Sequence, residues 1–120
     1  MKITNSVLRD KFELCDPKTG EVVKELPFTV NITATIQAAT RKLAEMAAVD
    51  SADPEAMGKA FVGLLEAIFG ADVTNGLLEY FENDYMQMIV DLEPVLTDVI
   101  FPAFTQYRSK AIAARKKAKR

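Results

Sequence analysis

Apolar and polar residues alternate along the first third of the chain. In "KFELCDPKTGEVVKELPFTVNI", Phe12 and Leu14 stand between charged neighbours. Val22, Leu26, Phe28, Val30 and Ile32 then recur at period two, interrupted only by Lys24. That period is the signature of strands with one buried face. Between the two runs lies "DPKTG". Asp16 opens a turn, Pro17 presets its second position, and Gly20 is free to take positive φ. The pattern predicts a β-hairpin with a longer loop. Pro27 has no N–H to give to a ladder, which places that strand at a sheet edge or a bulge. A two-stranded hairpin is marginal in water, so its apolar face needs the helices that follow.

From Thr35 the period changes. Ile36, Ala39, Leu43 and Ala47 recur at three- and four-residue steps, predicting a helix to about Val49. "DSADPEAM" restarts the chain, with Asp53 as N-cap, Pro54 at the first helical position and Glu55 in the first turn. That second helix ends at Gly70. Met57, Phe61, Leu64, Leu65 and Ile68 form one stripe, and Ala56, Ala60, Gly63 and Ala67 form a second stripe of small residues. Its narrow polar face (Glu55, Lys59, Glu66) has two readings: a helix central to the fold, or one covered by a partner. Asp72 or Thr74 caps a short third helix with Leu77, Leu78 and Phe81 inward. "END" ends it, and Asp84 caps the next. Tyr85, Met88, Ile89, Leu92, Leu96, Val99 and Ile100 keep helical spacing to the end of that segment. Pro94 and Pro102 fall inside it, predicting a break or bend near Glu93 and Pro94 and another near Phe101 and Pro102. The chain therefore reads as α+β, mainly α: an N-terminal hairpin followed by a bundle of about four to five helices, the last one proline-kinked. Residues 1–107 form one hairpin-plus-helices domain, and residues 108–120 form a basic tail, partly helical or disordered.

Composition narrows the class. The 120 residues are 49% apolar and 27% charged, an ordinary globular balance. No apolar stretch reaches the ~20 residues of a membrane helix. The first 30 residues are too charged for a signal peptide, so the expected location is the cytoplasm. Cys15 is the only cysteine, which rules out an internal disulfide.

Little reaction chemistry is on offer. There is no histidine, which removes the commonest general base and a common metal ligand together. One cysteine beside a hairpin loop makes neither a zinc site nor a paired nucleophile. "FGADVTNG" lacks the spacing and the lysine of a phosphate loop. Glu79, Glu82, Asp84, Asp91 and Glu93 read as caps and a solvated helix face, without the dense oxygen ligands of a calcium loop. No catalytic residue, cofactor or metal is expected, and the chain reads as a non-enzyme.

Charge supplies the clearest asymmetry. Residues 1–107 hold 8 basic and 17 acidic residues, net −9. Residues 108–120 hold Arg108, Lys110, Arg115, Lys116, Lys117, Lys119 and Arg120 with no acid, net +7. Three readings of this tail stay open. It is a solvated chain end; a salt-sensitive grip on nucleic acid phosphates; or an electrostatic guide toward a protein partner, including a second copy of the chain. Against nucleic acid, the acidic body repels the same phosphates, and the tail beyond Tyr107 has no aromatic to stack on bases.

A resemblance sharpens the partner reading. In "LLEAIFGADVTNGLLEYFENDYMQMIVDLEPVLTDVIFPAF" an apolar helix ends in "FG", a short "LLEYFEND" helix follows, and "MIVDLEPVLTDVIFP" gives a proline-punctuated last helix. With the N-terminal hairpin and the charged tail, this order resembles the tail assembly chaperones and related small tail proteins of long-tailed phages and prophages. The resemblance implies a non-enzymatic protein that binds the tape measure protein or the tail tube protein during assembly, with homo-oligomers possible. Many of that class end in acidic or mixed-charge tails, whereas this one is basic. A chaperone of a long apolar client needs exposed apolar helix surface and adaptable methionine contacts. Phe61 and Leu65 of the second helix, Met86 and Met88, and Pro94, Phe101, Pro102 and Phe104 are the candidate partner-binding residues. Methionines at helical spacing also serve as core filling, so both readings stand at this point. The alternative function is a small nucleic-acid-associated phage or host protein that uses the basic tail.

Overall fold

A computed structural model describes Met1, residues 7–50 and residues 52–118, without the side chains of residues 110, 111 and 114–118. Two antiparallel strands, β1 (Val7–Cys15) and β2 (Val22–Asn31), form the hairpin. The turn is the one "DPKTG" dictates. The Asp16 carboxylate accepts from the N–H of Lys18 at 2.8 Å, the Gly20 N–H donates to the Asp16 carbonyl at 2.8 Å, and Gly20 sits at φ +75°. Phe12 stands opposite Leu26 and Leu8 opposite Val30, so the apolar residues of both strands share one face. Leu14, Leu26, Phe28 and Val30 are buried there. The register slips between Leu14 and Cys15, and Val22 and Val23 stand exposed near the tip. On the outer face Lys11 donates to Glu25 at 3.0 Å. That bond, then the attraction of the same carboxylate, raises the lysine pKa. The pair thus favours the folded state below the unfolded lysine's pKa and ceases to do so as pH rises through the raised value. Both side chains are exposed, so the pair is screened by solvent.

Asn31 ends β2 and caps α1 (Ile32–Ala47), its side chain accepting from the Ala34 N–H at 3.1 Å. Ile32, assigned by period to the strand, is thus the first helical residue, and the helix begins three residues before the expected Thr35. The period-two pattern runs on into the helix because a first-turn residue can bury against the same core that β2 covers: Ile32 is buried. α2 (Pro54–Phe69) follows its signals closely, with the Asp53 carboxylate accepting from Ala56 N–H at 3.1 Å and Gly70 at φ +89°. Phe61, Leu64, Leu65, Ile68 and Phe69 are all buried, and α2 contacts α1, α3 (Ala71–Tyr80), α4 (Tyr85–Val95) and β2. This helix is the centre of the fold.

α3 begins directly after Gly70 with no side-chain cap, so neither Asp72 nor Thr74 plays that role. Asp72 lies in the first turn, where a negative charge suits the helix dipole. Thr74 is fully buried and donates to the Gly70 carbonyl at 2.8 Å, which satisfies its hydroxyl. The "END" stop is a left-handed pair, Glu82 at φ +53° and Asn83 at φ +61°, and Asp84 caps α4 through the Gln87 N–H. Tyr80 ties this end of the bundle to the hairpin, its hydroxyl donating to the Cys15 carbonyl at 2.6 Å, where the register slips. Tyr80→Phe is expected to lower stability by about 1 kcal/mol, measured by urea unfolding, with the slope unchanged.

The expected breaks at the two prolines take another form. α4 continues without interruption through a π-helical turn, Leu96–Ile100, into α5 (Phe101–Ala118). The Phe101 N–H reaches back five residues to the Leu96 carbonyl. Pro102 cannot donate, and its ring crowds the carbonyl four residues back; the wider turn just before it relieves that crowding. The Thr97 hydroxyl lies 3.2 Å from the Glu93 carbonyl, within the turn that Pro94 disturbs. The wide turn also aligns the core. Met88, Leu92, Leu96, Ile100 and Phe104 are all buried and recur every four residues. In a regular α-helix residues four apart drift by about 40° per step. The π turn holds more residues per turn, so the line of side chains stays on the buried face.

Candidate interaction surface

α4 presents two faces because its N-terminal turn is fixed by Asp84 and its inner face by α2. Met88 and Leu92 point into the core, at 0% and 6% exposure. The outward residues are Met86, Val90 and Pro94, spaced four and four. Met86 is 54% and Val90 64% exposed, and Pro94 is exposed as well. At 1.5 Å per residue they line about 12 Å of helix. The charge around them has a single sign. Residues 60–107 contain no lysine or arginine, and Asp91, Glu93 and Asp98 are exposed beside the strip. Gln87 donates to Asp91 at 2.8 Å and holds one of these carboxylates in place.

The candidate partner residues therefore divide. Phe61, Leu65, Met88 and Phe104 are core residues, which corrects their reading as client-facing positions: in the folded chain they are buried. Met86, Pro94 and Pro102 are exposed, and Phe101 is half-buried against the core. Val90 completes the strip and was missed. The spacing 86, 90, 94 was legible, but which of two apolar stripes on α4 meets α2 is set by tertiary packing.

A concave feature lies between α1 and α5. Ile36, Gln37, Thr40 and Arg41 of α1 face Tyr107, Arg108 and Ile112 of α5 across an open groove of about 590 Å3. Arg108 Nη2 donates to the Thr40 hydroxyl at 3.3 Å, bridging the two helices. Neither Arg41 nor Arg108 has a carboxylate partner among the described residues. Ile112 is 54% exposed. Of the basic-tail residues, Arg108 is therefore placed at this groove. The backbone is helical through Ala118, the side chains of Lys110, Arg115, Lys116 and Lys117 lie outside the described residues, and so do Lys119 and Arg120 altogether.

Among the described residues no group of three or more Cys, Asp or Glu side chains gathers in a metal-binding arrangement. No helix among them is long and apolar enough to cross a membrane. Comparison with family models, with curated proteins and with solved structures gives no match to this chain.

Proposed function

We propose that this protein is a non-enzymatic assembly factor of a long-tailed phage, a chaperone-like protein of the bacterial cytoplasm that binds the tape measure or tail tube protein. The observation that supports this reading best is the exposed apolar strip of Met86, Val90 and Pro94 on an otherwise well-packed helix. Single exposed apolar residues are ordinary, but an aligned row of them on one helix face is the form that protein-binding surfaces take. Its acidic flanks select clients with basic residues beside their apolar ones, through complementary charge. The segment order of the sequence supports the same reading.

The test is isothermal titration calorimetry of the purified chain against a tape measure fragment and the tube protein of the same phage. Saturable binding to one of them is expected. The Met86→Glu/Val90→Glu double variant, changed only at exposed sites, is expected to keep its circular dichroism and to bind at least about tenfold more weakly. Absence of binding to both proteins, or equal binding by the double variant, removes the proposal.

A further inference from the structure

We infer that the groove between α1 and α5 is a second docking site, built for an acidic amphipathic helix of a partner protein. The inference rests on the groove alone and holds whether or not the α4 strip binds a phage tail component.

Three observations carry it. First, the lining combines apolar and basic side chains. Ile36, Tyr107 and Ile112 provide the apolar contacts, and Arg41 and Arg108 stand beside them on opposite walls. A ligand must therefore offer apolar groups between negative ones. Second, both guanidinium groups lack a carboxylate among the described residues, in a body whose residues 1–107 carry net −9. Arg9, Lys18 and Lys24 likewise lack a carboxylate partner among the described residues; what sets the groove apart is that two such cations share one lining, where their planar guanidinium groups can meet an incoming carboxylate. Third, the walls are two helices, so the groove runs as a trough. A helix laid in a trough reads it with apolar residues three and four apart, and its flanking positions meet the walls. Glutamate and aspartate at those flanks would face Arg41 on one side and Arg108 on the other.

The occupant needs most of its circumference free. That favours a separate helical segment over α4 of a second copy, whose inner face is already committed to the core through Met88 and Leu92. The Arg108–Thr40 bond ties one wall of the groove to the other and holds the Arg108 guanidinium at the groove.

The probe is a fluorescent synthetic 21-residue peptide with leucines at helical a and d spacing and glutamates at the flanking positions, read by anisotropy against the full chain. A peptide with lysines replacing the glutamates is the control. The glutamate peptide is expected to bind, with affinity falling as salt rises from 50 to about 300 mM as charge screening shortens. The lysine peptide is expected to bind at least tenfold more weakly. R41E/R108E, at two exposed positions, should lose the glutamate peptide and gain the lysine one. Ile112→Ser should weaken both peptides about equally. Equal binding of the two peptides, or a preference that R41E/R108E does not reverse, overturns the inference. So does self-association by light scattering that R41E/R108E abolishes, because the groove would then belong to a second copy. Failure here leaves the calorimetry with tail proteins unaffected, so the two proposals stand or fall separately.

Discussion

Phe69→Ala is expected to destabilise the protein by about 3–5 kcal/mol, a large share of the 5–15 kcal/mol that holds a typical domain folded. Phe69 closes α2 and is buried, and its ring meets Phe12 at 5.1 Å and Phe28 at 4.8 Å, edge-on to both. Phe12 and Phe28 lie 4.9 Å apart across the hairpin. These three rings join the sheet to the central helix. Edge-to-face aromatic pairs contribute beyond their area, so truncation loses burial, geometry and cavity filling together. Because a two-stranded sheet is marginal alone, the hairpin should loosen along with the bundle. Guanidinium unfolding followed by circular dichroism checks this, and the change should appear in the midpoint. A loss under about 1 kcal/mol would mean that the hairpin is held elsewhere.

Gly58→Leu has the second large effect, about 3 kcal/mol or more. A Cβ at Gly58 would lie 2.5 Å from Tyr85 Cβ and 2.6 Å from its Cγ. The Cβ is fixed by the backbone in the first turn of α4 and no side-chain rotation moves it, so α4 must move off α2. Even Gly58→Ala should destabilise, although alanine is ordinarily better than glycine in a helix by about 1 kcal/mol. Gly63 gives the contrast on the same helix. There the nearest atoms are the far end of Lys42, at 3.8 Å, and Gly63→Ala is expected to be neutral or stabilising. The thermal midpoint should fall for Gly58→Ala and hold or rise for Gly63→Ala. If both rise, the close approach of α2 and α4 is wrong.

Local signals in the chain anticipate much of this. "DPKTG" fixed the hairpin loop, Asp53 and Asp84 the caps, and Gly70 the end of α2, because each acts through backbone hydrogen bonds within a few residues. Tertiary context decides the rest. Ile32 continues the strand's alternation yet opens α1, since burial against the same core is available in either conformation. Thr74 resembles a cap but satisfies its hydroxyl inside the helix. Pro94 and Pro102 suggested breaks, and the chain instead widened one turn between them, which also kept a four-residue stripe on the core. Met86 and Pro94 of the exposed strip on α4 are legible as apolar positions, whereas Phe61 and Leu65 are core because α2 is enclosed on several sides. The α1–α5 groove could not be foreseen, as its lining residues Thr40 and Arg108 lie 68 positions apart.

If the chain is a tail assembly factor, it meets its client through the outer face of α4 with its core intact. Hydrogen-exchange mass spectrometry of the chain, free and with the tape measure or tube protein, tests that claim directly. Slower exchange is expected across residues 85–95, with α2 amides as protected as in the free protein. Unchanged exchange on α4, or faster exchange in α2 as the client enters the core, would contradict it.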